Sequence, residues 1–175
     1  MKLSHRLFGR GIRFTSILAL LFCVLSCSTQ PQFTPGVANG KLQACPQTPN
    51  CVSSMDFAGT SFIPPLMFTG DPFAAWSHVQ NTVLTLNGTI QQDTGRYLHA
   101  TFTSRILGLI DDLELLLEEK EGVIHIRSAS RTGYWDLGVN SDRVERIRTR
   151  FLELQSVPPG IQKLPAQHAM LYSYQ

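Results

Sequence analysis

Between Asp71 and Gly88 the chain reads DPFAAWSHVQNTVLTLNG, in which Phe73, Trp76, Val79, Val83 and Leu86 return at three- and four-residue spacing. That period lays one apolar stripe along a helix. Asp71 supplies an N-cap, Pro72 suits the first helical position, and Asn87 with Gly88 ends the element. A short strand is expected over Thr89 to Gln92, and Asp93-Thr94-Gly95 signals a turn.

From Arg96 the period falls to two. RYLHATFTSR (96–105), IDDLELLLEE (110–119) and GVIHIRSASR (122–131) read as three antiparallel strands. Matching their apolar positions sets Leu98 against Leu117, Ala100 against Leu115 and Phe102 against Leu113. The next pairing sets Leu117 against Ile124 and Leu115 against Ile126. One face becomes continuously apolar, and a slip of one residue would turn all of these side chains to the other side. The opposite face carries Tyr97, His99, Thr101, Thr103 and Arg105 beside Asp112 and Glu114, with His125, Arg127 and Arg131 on the third strand. It is expected to be solvated, with Glu114 across from Arg127 and Asp112 diagonal to Arg127 and Arg131.

After the loop SRTGYWDLG a second helix is expected, capped by Asn140 or Ser141, with Val144, Ile147, Phe151 and Leu154 on its apolar side. Two helices on one face of an antiparallel sheet of about four strands make a two-layer α+β domain. The segment from Cys45 to Gly70 reads as irregular chain laid over that domain. So does the tail from Val157, whose Met170, Leu171 and Tyr172 are expected as a covering strand.

The first residues have another character. Lys2, Arg6, Arg10 and Arg13 precede an apolar run too short to span a membrane, ending in Val24-Leu25-Ser26-Cys27. This is a bacterial export signal with a lipobox, and Cys27 is the expected lipidated residue. An ordinary secretory signal or an uncleaved anchor is the alternative. The expected organisation is a lipoprotein signal peptide over 1–26, a Gln-, Thr-, Pro- and Gly-rich tether over 27–44 and a single domain over 45–175. Several acyl chains on Cys27 would bury CH₂ groups at about 0.8 kcal/mol each and hold the protein on its membrane. The location expected is the bacterial cell envelope, facing the periplasm.

The formal charge of +2 includes the four basic residues of the signal, so the remaining chain carries −2. Such a balance gives no electrostatic footprint for nucleic acid. Cys45 and Cys51 remain in CPQTPNC. In an oxidising envelope they most simply form a disulfide, with free or partner-bound thiols as the alternative. Five residues between them argue against a redox C-x-x-C pair, and no nearby histidine completes a zinc site. No metal and no cofactor is expected.

Two kinds of chemistry can be drawn from the pattern. His99, Asp112, Glu114 and His125 could form a histidine–carboxylate acid/base cluster of an envelope hydrolase. Against this, Arg127 and Arg131 would hold both carboxylates as simple ion pairs. No G-x-S-x-G elbow occurs, and Ser128 and Ser130 alternate onto the apolar side. The other candidate is a contact loop: Tyr134 and Trp135 are adjacent and cannot both face the core easily, so one is expected to meet a partner. Arg143, Arg146 and Arg150 read as a solvated stripe, with anionic headgroups or a protein partner as the sharper alternative.

CPQTPNCVSS, YLHATFTSRILGLIDDLELLL and GVIHIRSASRTGYWDLGVNSDRVERIR together resemble the domain of unknown function 1499 family, found in bacterial envelope proteins and in plastids. The resemblance covers roughly Cys45 to Phe151. The histidine usual after the family's cysteine motif is absent from FAGTSFIPP here, and the resemblance implies no reaction. The reading of the whole chain is a non-enzymatic envelope lipoprotein that binds an envelope protein, a lipid or a small ligand. The envelope hydrolase is the alternative.

Overall fold

The computed structural model describes residues 34–156. The expected signal, Cys27 and the covering strand at Met170, Leu171 and Tyr172 lie outside them. In chain order the elements are β1 (Val37–Ala38), β2 (Lys41–Leu42), β3 (Cys51–Ser53), β4 (Leu66–Met67), α1 (Pro72–Thr85), β5 (Thr89–Asp93), β6 (Tyr97–Thr103), β7 (Ile110–Glu118), β8 (Val123–Ser130) and α2 (Val139–Ser156). β1 and β2 pair with each other. The other six strands form one sheet in the order β3-β8-β7-β6-β5, with β4 pairing further along the outer edge of β8. The α+β class agrees with expectation and the strand number does not. β3 and β4 are three and two residues long, too short for alternation to show. β8 takes them up because its outer edge would otherwise be a row of unpaired N–H and C=O groups.

Asp71 caps α1 as expected, its carboxylate accepting from the backbone N–H of Phe73 and Ala74. Asn87 follows the helix in the left-handed region at φ 65°. The buried stripe is Ala75, Trp76, Val79 and Val83, whereas Phe73, expected inward, is 74% exposed in the first turn. α2 starts earlier than expected and is capped differently. Asp136 accepts from Gly138 N and Asn140 N at 2.9 Å each, so neither Asn140 nor Ser141 is the cap. Val79, Val83, Val144, Ile147 and Phe151 of the two helices close over Leu98, Leu113, Leu115 and Ile126, all fully buried. Each such side chain contributes about 1.5–3 kcal/mol relative to exposure.

Between β7 and β8 the register is the expected one, with Leu115 opposite Ile126, Leu117 opposite Ile124 and Glu114 opposite Arg127. Between β6 and β7 it differs by two residues: Leu98 faces Leu115, Ala100 faces Leu113 and Phe102 faces Asp111. An even shift leaves every side chain on its expected face, which is why the pattern could not exclude it. Gly122 in the β7–β8 turn has φ +65°, and a Cβ there would stand 3.2 Å from the Phe68 carbonyl oxygen. Glycine allows the Phe68 N–H to donate to the Gly122 carbonyl at 2.9 Å.

The centre of the sheet's second face is not open to water, while Thr103 and Arg131 at its end are exposed. Residues 34–44, expected within a tether, fold as the β1–β2 hairpin and lie over β7. Gly36 N donates to Glu114 Oε1 at 2.7 Å, and Leu42, buried, directs its N–H at Met55 Sδ. Under this cover Asp112, Glu114, Arg127 and Ser54 are 0–1% exposed.

Candidate functional site

Glu114 stands in the middle of β7 and is committed on both oxygens. Oε1 accepts from Gly36 N and from Tyr97 Oη at 2.8 Å, and Oε2 accepts from Arg127 Nη1 at 3.1 Å. Burial pushes the Arg127 guanidinium down, and the neighbouring Glu114 charge pushes it back. Burial, the Glu114 charge and the hydrogen bond to it raise the Tyr97 hydroxyl far above its ordinary range, so it stays a donor.

Asp112 is held as firmly. Arg131 donates to it through Nε at 2.9 Å and Nη2 at 2.8 Å, and His99 Nε2 lies 2.7 Å from its Oδ1. Burial alone would raise this carboxyl, but the hydrogen bonds from His99 and Arg131 and their charges hold it down at about 2. The expected Asp112–Arg131 diagonal contact is therefore present, whereas the expected solvation is absent at Asp112, Glu114 and Arg127. A fork of two parallel N–H···O bonds fixes a carboxylate in place and uses its proton-accepting lone pairs.

The shifted register brings His99 to Glu114 and Asp112 and leaves His125 apart from them. His99 pairs across with Glu114, while His125 lies opposite Leu116, which faces Tyr97 on its other side. The two histidines therefore lie in different cross-strand rows. His125 Nδ1 shares a hydrogen bond with Ser54 Oγ at 3.1 Å, and Ser54 Oγ also accepts from Ile126 N at 2.9 Å. Burial lowers the His125 pKa against the opposing charges of Glu121 and Glu118, keeping the ring neutral. A serine beside a neutral histidine has the composition of a nucleophile and its base. Ser54 is 0% exposed, however, and cannot meet a substrate.

Arg143, expected in a solvated stripe with Arg146 and Arg150, is buried on the helix side of the sheet. It pairs with Asp111, donates to Ser128 Oγ at 3.0 Å and to Asn140 Oδ1, and sits 4.8 Å over the Phe102 ring. Asn140 extends the cluster to the Asn50 carbonyl and Ser130 Oγ. Arg146 and Arg150 are exposed as expected. The signal for this cluster was present in the sequence, because Asp111 alternates with Leu113 and Leu115 onto the apolar face and needs a buried cation there.

Cys45 and Cys51 form the expected disulfide, with Cα atoms 5.7 Å apart. Their loop is one wall of an open groove of about 830 Å³ whose other walls come from residues 56–61 and from Tyr134, Trp135 and Ser141. Both aromatic side chains are exposed, at 70% and 64%, where one had been expected. Prolines 46 and 49, Gln47, Thr48 and Thr60 line the rest. Asp136, which also lines the groove, is spent on the cap of α2; burial raises its carboxyl, and the backbone hydrogen bonds from Asn140 and Gly138 bring it below its ordinary value. Among the described residues no group of three or more His, Cys, Asp or Glu could hold a metal ion, and no helix is long and apolar enough to cross a membrane.

No curated protein matches the chain. Residues 41–151 match the family described as protein of unknown function (DUF1499). That stretch holds β2, the disulfide, both charge networks, the aromatic loop and most of α2. The chain belongs to the DUF1499 family.

Proposed function

We propose that the chain is a lipoprotein of the bacterial envelope, held to its membrane through Cys27, whose domain is a non-enzymatic binding module. The observation that carries the binding reading is the exposure of Tyr134 and Trp135, 70% and 64%, beside an open groove. Large aromatic side chains left in water next to a concavity offer stacking area at little conformational cost. The hydrolase alternative lacks comparable support. A general acid or base must come within about 2.6–3.2 Å of the proton it moves. Asp112 and Glu114 are buried and bonded to internal partners, and His99 and His125 belong to different hydrogen-bonded sets.

Expression of the full chain in bacteria fed labelled palmitate tests the anchor. Wild type should take up label and stay with the membrane fraction, and Cys27→Ser should do neither. Label retained by Cys27→Ser would sink the lipoprotein reading. Turnover of ester or amide substrates by wild type that disappears in His99→Gln would sink the non-enzymatic one.

A further inference from the structure

Six of the fourteen exposed large apolar side chains among the described residues fall in two loops. Ile106, Leu107 and Leu109 are 93%, 73% and 46% exposed in the β6–β7 loop, and Leu137, at 72%, joins Tyr134 and Trp135 in the loop before α2. Strand register brings the two loops together at one end of the sheet. Thr103 pairs with Ile110, Asp111 pairs with Ser130, and Arg131 N donates to the Ile110 carbonyl at 3.0 Å. Isolated exposed aliphatics are ordinary on soluble domains. Six large apolar residues on adjoining loops mark a surface that meets something apolar.

The β6–β7 loop is closed on itself. Ser104 N donates to the Leu109 carbonyl at 2.8 Å, Gly108 N to the Ser104 carbonyl at 3.1 Å, and Leu109 N to Ser104 Oγ at 3.2 Å. Gly108 makes this possible with φ +64°. These bonds fix the base of the loop and hold Ile106 and Leu107 at its tip. Arg105 is exposed beside the apex, where a long cationic side chain can reach phosphate headgroups. Tyr134 and Trp135 are of the types that prefer the headgroup level of a bilayer.

The path of the chain bears on what covers this surface. Thr34 stands beside Gln43, whose Nε2 donates to its carbonyl at 3.0 Å, two residues before Cys45. Cys45 is bonded to Cys51, Cys51 pairs with Ala129, and Ala129 pairs with Asp112, close to the start of β7. Gly36, two residues after Thr34, donates to Glu114, which stands about 13 Å along β7 from Ile110, so the described chain begins within a tether's reach of the two loops. Seven residue steps from Cys27 to Thr34 reach at most about 25 Å.

We infer that this end of the domain docks on the lipid bilayer that holds Cys27. Ile106 and Leu107 enter the acyl boundary, and Tyr134 and Trp135 lie at headgroup depth. The inference rests on the lipoprotein reading. Tethering raises the local concentration of the bilayer so that a small apolar patch suffices.

The test uses the full lipidated chain in phosphatidylethanolamine–phosphatidylglycerol vesicles whose acyl chains carry bromine, a contact quencher of tryptophan. The chain has two tryptophans, and Trp76 is 4% exposed in the core. Brominated vesicles should therefore quench the share of emission that Trp135→Phe removes. Ile106→Ser with Leu107→Ser should abolish that quenching, while co-sedimentation with vesicles and Tm stay as in wild type. Co-sedimentation without quenching would overturn docking and leave the anchor standing. Quenching unchanged by the double substitution would overturn the assignment to this loop. A wild-type chain that does not sediment with vesicles would overturn both readings.

Discussion

Glu114 is a charge with no route to water. It accepts three hydrogen bonds, from Gly36, Tyr97 and Arg127, and its partner Arg127 is 1% exposed. Desolvation of two ions cancels much of their attraction, so such a pair adds little over an apolar pair, but removing one member leaves the other stranded. Arg127→Met should accordingly cost about 3–5 kcal/mol. Glu114→Gln, which keeps an acceptor for Tyr97 and Gly36 but turns an amide donor toward the uncompensated Arg127, should likewise cost about 3–5 kcal/mol. The double mutant should lose less than the sum, with a coupling of about 0.5–3 kcal/mol in urea unfolding. Additivity within about 0.5 kcal/mol would mean that the pair is not what holds this face to the β1–β2 hairpin. The same commitment of lone pairs makes Glu114 a clamp between sheet and cover and ties Asp112 to His99 and Arg131 within the sheet.

At the scale of elements, α2 is fixed to the sheet by one cation as well as by its apolar side. Arg143 spans Asp111, Ser128 and Asn140, whereas Arg146, one turn on, is exposed. Arg143→Met should therefore lower stability by about 3–5 kcal/mol through the stranded Asp111. Arg146→Met should stay within about 0.5 kcal/mol of wild type. Equal losses in thermal unfolding would show that the two arginines share one environment. The stripe at 143, 146 and 150 was legible as a spacing but not as a burial, because a cation inside a core is recognised only through its counter-charge. Alternation made β6, β7 and β8 and their faces legible, since burial imposes a period of two. It could not fix the β6–β7 register, which an even slip preserves, and the longer loop at 104–109 set it instead. β3, β4 and the β1–β2 hairpin left no trace in the pattern: two- and three-residue strands are defined by the edge they complete. With the hairpin went the expectation of a wet centre to the polar face, and His125, bonded to Ser54, dropped out of the acid/base cluster. The disulfide and the aromatic loop needed only local chemistry to be seen, and both were.

For the whole molecule, these placements fix how stability follows pH. Asp112 falls from an ordinary value of 3.8 to about 2, so it contributes stability that is full above 3.8 and lost as pH falls towards 2. The shift corresponds to about 2 kcal/mol. His125 is also lowered, from an ordinary 6.5, by burial above all. The unfolded chain then takes up its proton first, and stability declines as pH falls below 6.5. Tyr97 is raised above its ordinary 10, chiefly by burial and then by Glu114, so its contribution is full below 10 and lost as pH rises through and beyond that value. Melting temperature should therefore hold a plateau from about pH 7 to 9, fall in two acid steps and drop again in alkali. His125→Gln should remove the upper acid step and leave the lower one. Asp112→Asn should lower the plateau, through the lost Arg131 and His99 contacts, and flatten the decline below pH 4. Tyr97→Phe should remove the alkaline loss. A profile that begins to fall only below pH 4 in wild type, unchanged by His125→Gln, would mean that the Ser54–His125 pair opens to water before the fold is lost. That would return this pair, rather than His99 with Asp112, to consideration as chemistry.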